Sequence, residues 1–238
     1  MCGRVVATAA PDFLAAWLWA TPSEVAPPPP SWNLAPGALL PVVAAGRSGR
    51  RLGAMRWGLV PSWSADPTRG PRPINARAET IAERPAFAGP FARRRCVVPV
   101  DGYYEWRRDA GGRRPHYVSR IDGSPLALAG VWDRWEGAGA DGMTTCAIVT
   151  TSAGDDVAGL HHRMPVSLSA DNWDRWLDRS VHQPAELLHL LGPAPAGTLC
   201  VREVGPRVNS ARHDDPDLLA RCRPTQLRPD GSVRVGAQ

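Results

Sequence analysis

The strongest constraint on the fold is the rhythm of the stretch between residues 39 and 169, where short segments rich in Val, Ile, Trp and Tyr are cut by Gly, Pro and Asp. Segments of this length and composition read as strands. The expected strands are 39–45, 51–60, 95–106, 116–121, 126–135, 144–151 and 165–168. Turn pairs such as Asp122-Gly123 and Asp141-Gly142 return the chain on itself, which favours antiparallel neighbours. Helical periodicity is confined to the margins, at 12–18, 171–178 and 184–191, followed by a strand at 199–204 and an irregular tail. The proline-rich stretch 25–31 must be extended, and it leads as a loop into Trp32-Asn33-Leu34-Ala35-Pro36. There is no internal repeat. The expectation is an α+β fold: a single domain over residues 2–225, built on a curled, mostly antiparallel, barrel-like β-sheet with a few peripheral helices, and a C-terminal tail at 226–238.

A chain of 238 residues that is 43% hydrophobic can bury a full core. No apolar run approaches the ~18 residues that span a bilayer, and the N-terminus lacks a secretory signal, so a cytoplasmic protein is expected, nucleoid-associated if bacterial. Cys2, Cys96, Cys146, Cys200 and Cys222 are widely spread with no C-x-x-C pair, which points to neither a disulfide framework nor a zinc cluster. No metal site and no cofactor is called for. All 28 basic residues are arginine, set against 23 acids for a net charge of +5. That balance suits a polyanion such as nucleic acid, although a GC-rich genome would leave the same arginine bias.

The absence of lysine gives the N-terminus its importance. A small residue at position 2 generally allows the initiator Met to be removed, which would leave Cys2 with a free α-amine and a thiol on neighbouring carbons. Such a 1,2-aminothiol reacts with an aldehyde in two steps: the amine forms an imine, and the thiol closes on the imine carbon to give a thiazolidine. Holding both groups on one residue is worth effective molarities on the order of 10⁵ M or more. An α-amine near ~7.8 is also far more often neutral at physiological pH than a lysine near ~10.4. Any imine chemistry the chain performs by itself must use this amine.

Six motifs follow one another: Met1-Cys2-Gly3-Arg4; Trp32-Asn33-Leu34-Ala35-Pro36; Arg56-Trp57-Gly58-Leu59-Val60-Pro61-Ser62-Trp63; Ile74-Asn75-Ala76-Arg77-Ala78-Glu79-Thr80; Gly102-Tyr103-Tyr104-Glu105-Trp106; and Leu160-His161-His162-Arg163-Met164-Pro165. Together, over about residues 2–210, they closely resemble the SRAP family of abasic-site processing proteins. The resemblance implies a protein that senses abasic sites in single-stranded DNA, crosslinks to them and shields them from strand cleavage. It implies Cys2 as nucleophile, with Asn75, Glu105 and His161 completing the catalytic site. The expected partner is single-stranded DNA with abasic sites, met at stalled replication forks whose proteins are further partners, and the chain is expected to act as a monomer.

The residues fit these roles. On a strand, Tyr103 and Glu105 share one face while Tyr104 and Trp106 share the other, so Glu105 is shielded by aromatics and suited to proton transfer. His161 titrates near neutrality and can stabilise the sugar oxygen; the family pattern His-x-Arg-Met-Pro selects it over His162. Zinc binding by the pair is not expected, since adjacent residues on a strand point apart and no third ligand is evident. Asn75 offers an uncharged donor and acceptor for orientation. Arg4, Arg77, Arg84 and Arg163 are expected to hold phosphates, with Asn33 beside them and Trp63 and Trp106 as stacking platforms for bases. Some family members carry a second aromatic after the Trp63 position as a wedge, where this chain has Ser64.

Other chemistries share parts of this pattern. N-terminal-nucleophile glutamine amidotransferases also begin Met-Cys-Gly, but the Glu105 and His161 motifs have no place in them. A self-cleaving thiol peptidase could release only Met1. A module that binds single-stranded DNA without chemistry would need neither Cys2 nor Glu105.

Overall fold

The computed structural model describes residues 2–46, 48–109, 112–137 and 142–220; the expected tail 226–238 and Cys222 lie outside the described residues. In chain order the strands are β1 (Val5–Ala7), β2 (Ala20–Pro22), β3 (Ser31–Leu34), β4 (Leu39–Gly46), β5 (Gly49–Trp57), β6 (Asn75–Arg77), β7 (Arg95–Val100), β8 (Gly102–Asp109), β9 (Gly112–Arg120), β10 (Leu126–Trp135), β11 (Met143–Ser152), β12 (Arg163–Pro165) and β13 (Leu199–Glu203). The α-helices are α1 (Pro11–Trp17), α2 (Pro85–Arg93), α3 (Asp155–Ala158), α4 (Trp173–Leu177) and α5 (Ala185–Leu188). Among the described residues no helix is long and apolar enough to cross a membrane.

Strands β11, β10, β7, β4 and β5 pair antiparallel in that order, and a parallel contact of β5 with β11 (Arg56 beside Thr145, Trp57 beside Cys146) closes them into a five-stranded barrel. The expected curled sheet is thus a closed one, which removes two unpaired edges. A second sheet runs β13-β9-β8-β1-β3. Period-2 alternation divides the core: Val97, Ala127 and Ala129 face a cluster with Phe91, Trp173 and Trp176 of the helices, whereas Val98, Leu128 and Ile148 face one that holds Cys2, Val5 and Tyr103.

Besides the short strands β1, β2, β3 and β6, which the sequence pattern did not predict, three features depart from the expectation. The single strand expected over 95–106 is two strands in different sheets. The break is at Asp101, whose carboxylate accepts from both the backbone N–H and the hydroxyl of Thr8, and at Gly102, where the backbones of β8 and β9 crowd together. Second, β5 stops at Trp57 because Gly58 has φ +124°, open to glycine and disfavoured for other residues. Third, α2 went unread: Pro90 looks like a helix breaker, yet Pro85 opens the helix and Phe87 and Phe91 anchor it in the core.

A Cβ on Gly102 would lie 2.4 Å from the Val118 carbonyl oxygen and 2.5 Å from Cζ of Tyr117. Gly102→Ala is therefore expected to lower the unfolding free energy by about 1–3 kcal/mol, measured by urea denaturation. Unchanged stability would show that β8 is free to shift against β9.

Candidate active site

The start of the chain is drawn into the molecule by β1, which pairs with β8 (Val5 beside Tyr103, Val6 beside Gly102) while Tyr104 N–H donates to the Arg4 carbonyl at 2.9 Å. Following this register past Val5 brings the Cys2-Gly3 end alongside Glu105. Cys2 is 1% exposed. Burial pushes its thiol well above the ordinary value and the charge of Glu105 pushes the same way, so the sulfur is held as a neutral thiol. From the other side β6 lies parallel to β11, and Asn75 Nδ2 donates to the Cys2 carbonyl at 2.8 Å. That bond fixes the Cys2 backbone. The buried Oδ1 of Asn75 has no hydrogen-bond partner among the described residues.

Next to Cys2, whose neighbour Gly3 is part of its wall, opens a cleft of about 830 Å³. Glu105, 5% exposed, lines it together with Gly3, Leu160 and His161. The alternation expected on β8 holds: Tyr103 lies in the cluster with Cys2, while Tyr104 and Trp106 face a third cluster with Val6 and Tyr117. His161 follows α3 and sits in a turn before β12. Its Nδ1 lies 2.9 Å from the Arg163 backbone nitrogen and 3.2 Å from the Arg163 carbonyl oxygen, so the Arg163 backbone holds this edge of the ring in either tautomer. Burial lowers the His161 value, Glu105 raises it, and His162 lowers it further. The reading that the two histidines point apart is corrected, because they lie in a turn and not on a strand; their rings stack 4.2 Å apart. Among the described residues no group of three His, Cys, Asp or Glu side chains could hold a metal ion.

The other expected site residues divide into three groups. Arg4 and Trp106 line the cleft; Arg4 also donates to Asn33 Oδ1 and to the Val208 carbonyl, and Trp106 Nε1 donates to Asn209 Oδ1 at 2.7 Å. Asn33 and Arg163 are turned into the protein. Asn33 is 3% exposed, and its amide is spent on Arg4 and on the carbonyls of Ser210 and His213, so it pins the wall behind the cleft and does not face it. The Arg163 guanidinium bridges both carboxylate oxygens of Glu79 and the Thr150 carbonyl. The last group, Arg77, Arg84 and Trp63, is exposed and outside the cleft lining, with Trp63 69% exposed. Ser64 supports a turn: its carbonyl accepts from Trp135 Nε1 at 2.7 Å.

Two arginines of the cleft were not among the expected site residues. Arg108 and Arg113 stand directly opposite each other on β8 and β9, both line the cleft, and the Arg113 guanidinium lies 5.7 Å from the Trp106 ring. Like charges so placed repel, and an anion between them relieves the repulsion. The signal was present as two double arginines flanking Asp109 and Gly112.

Since its folded value is lowered, His161 takes up its proton later on acidification than a free imidazole, and what it contributes to stability above that range is lost as pH falls through the ordinary imidazole range. The Glu105 charge opposes this lowering. In Glu105→Gln the His161 midpoint, followed by NMR of the ring carbons, is expected to fall further. A rise would mean that the carboxylate does not act on the ring.

The family described as SOS response associated peptidase (SRAP) matches residues 1–211. A Bacillus subtilis protein named "Abasic site processing protein YoqW" is 36% identical over 191 residues, covering 80% of this chain and 85% of its own. The Gallus gallus "Abasic site processing protein HMCES" is 33% identical over 222 residues, covering 80% of this chain and 66% of its own. A crystal structure of a Bacteroides thetaiotaomicron protein superimposes with a TM-score of 0.84 at 26% identity, covering 93% of this chain and all of that one. With the family match running from the Cys2 end through the His161 motif, this chain belongs to the SOS response associated peptidase (SRAP) family.

Proposed function

We propose that this chain recognises abasic sites in single-stranded DNA and, once Met1 has been removed, joins Cys2 covalently to the sugar aldehyde. The observation that carries the reading is the setting of Cys2: its backbone is held by Asn75, its neighbour Gly3 lines a cleft bearing Glu105 and His161, and the chain has no lysine to compete. Relatives at 33–36% identity are named abasic site processing proteins, which supports the same substrate.

The chemistry follows from these groups. The Cys2 amine attacks C1′ of the ring-opened sugar, and the carbinolamine loses one water to become an imine. The Cys2 sulfur then adds to the imine carbon while its proton passes to the nitrogen, closing the thiazolidine. Glu105 moves protons to and from the oxygen and nitrogen, and His161 stabilises the sugar oxygen. A thiol held neutral suits an amine that reacts first and a sulfur that follows. It weighs against an amidotransferase or peptidase that would need the thiolate at the outset. Arg108, Arg113 and Arg4 give the cleft a basic rim for the DNA backbone, and Trp106 offers a face to an unpaired base.

Cys2→Ser keeps the amine and loses the better nucleophile. It is expected to give a labile imine, trapped by borohydride and accompanied by strand scission, where the native chain gives a heat-stable adduct without reductant. An N-terminal tag that blocks the amine should abolish both products in denaturing gels and intact-mass spectra. A stable adduct from the tagged, uncleaved chain would overturn the mechanism.

Arg113→Ala should weaken binding to intact and abasic single strands alike and reduce the slope of log K against log salt by about 0.7. A loss confined to abasic strands would reassign Arg113 to recognition of the lesion.

A further inference from the structure

The turn that carries Trp63 is held by the barrel at three points. Ser64 N–H donates to the Pro61 carbonyl at 3.0 Å, so Ser62 and Trp63 are the central residues of a tight turn, and Trp63 is 69% exposed. Before the turn, Val60 N–H donates to Thr145 Oγ1 at 2.8 Å; within it, Ser62 N–H donates to Asp133 Oδ2 at 2.9 Å; at its end, Trp135 Nε1 donates to the Ser64 carbonyl at 2.7 Å. The three anchors share one face of the barrel sheet. Asp133 on β10 stands directly opposite Thr145 on β11, and Trp135 lies two residues further along β10.

A solitary exposed tryptophan is ordinary on a protein surface. A buried carboxylate that holds one up is not, because a charge removed from water is tolerated only where it is paired and hydrogen-bonded. Asp133 is 3% exposed. Its Oδ1 accepts from the Arg134 N–H at 2.8 Å and pairs with Arg94 Nε at 3.1 Å, which leaves Oδ2 to the surface turn. The turn also borders a path out of the main cleft. Pro36 lines both the cleft and a second cavity of 230 Å³, and that second cavity is walled by Val60, the residue that leads into the turn, and by the cations Arg56 and Arg72.

We propose that Asp133 is a positioning residue for DNA binding: through Ser62 it holds the Trp63 ring as a fixed face on which an unpaired base stacks where the strand leaves the cleft over Pro36. The inference rests on the reading of the cleft as a site for single-stranded DNA. An indole offers a flat π face that any base can use, and Arg56 and Arg72 supply positive charge for the phosphates between the cleft and the turn. A ring whose backbone is already fixed loses less freedom when a base settles on it, so the anchors raise affinity without touching the strand themselves.

The test uses the full chain and an intact oligothymidylate, which has no aldehyde, so that binding is read apart from crosslinking. In protein labelled with fluorotryptophan, the fluorine NMR signal of Trp63, assigned by its loss in Trp63→Phe, should shift when the strand is added. Trp63→Ala should weaken binding about tenfold, as the loss of one base stacked on one ring dictates. Asp133→Asn keeps the size of the side chain, but Arg94 retains the amide oxygen on its side, so the NH₂ group is turned to the Ser62 N–H and that anchor is lost. This variant should narrow the Trp63 signal as the ring gains freedom and weaken binding about fivefold in the native background, yet by less than about twofold when added to Trp63→Ala, as for two residues that act through one ring. An unmoved Trp63 signal on adding DNA, a native affinity in Asp133→Asn, or losses that multiply in the double variant overturns the proposal. If Asp133→Asn does not fold, Trp135→Phe, which removes the anchor at Ser64, decides: it should weaken binding in the native background and not in Trp63→Ala, and no loss, or an equal loss in both, overturns the proposal. A native chain that does not bind the strand at all would refute the reading of the cleft, whereas native binding with an unaltered Asp133→Asn refutes the positioning role alone.

Discussion

The antiparallel pairing of β1 with β8 is the constraint on which the site depends. Three residues of β1 carry the N-terminal end of the chain to the edge of a strand whose other residues supply Glu105, Trp106 and Arg108. That placement works because the chain changes sheets just before β8. Asp101 ties the crossing to Thr8, and Gly102 lets the backbones of β8 and β9 approach more closely than any side chain would allow. The first residues of a chain are ordinarily frayed. Here Cys2 is buried beside Tyr103 and Val5 and held through its carbonyl by Asn75 of β6, which pairs with β11.

Burial also bears on the chemistry proposed for Cys2. Desolvation and the nearby Glu105 charge both disfavour a thiolate, which agrees with the proposed order of an amine that reacts first and a sulfur that closes the ring. The rim of the cleft is basic. Arg108 and Arg113 face each other across a hairpin at a cost in repulsion, which the phosphate backbone proposed to lie in the cleft would relieve.

Several arginines conserve the shape of the cleft from behind it. Arg163 joins β12 to Glu79 and Thr150, and its own backbone holds the His161 ring. Arg4 and Asn33 clamp the segment around Val208 and Asn209, and Asn209 in turn holds the Trp106 indole. Guanidinium groups serve such clamps well because several donors are fixed in one plane.

By itself the sequence determined the strand-rich fold class, the alternation that puts Glu105 and Tyr103 on one face and Trp106 on the other, and the reactive pair on Cys2. These are local matters: period-2 side-chain direction, turn chemistry, and the covalent structure of one residue in a lysine-free chain. Only the tertiary structure decided which polar residues face the cleft. The motifs grouped Asn33 and Arg163 with Arg4 and Trp106, but long-range bonds to Ser210, His213 and Glu79 turn the first two inward. It also decided that 95–106 is two strands and that 85–93 is a helix despite Pro90, since close backbone approach and core burial override local propensity.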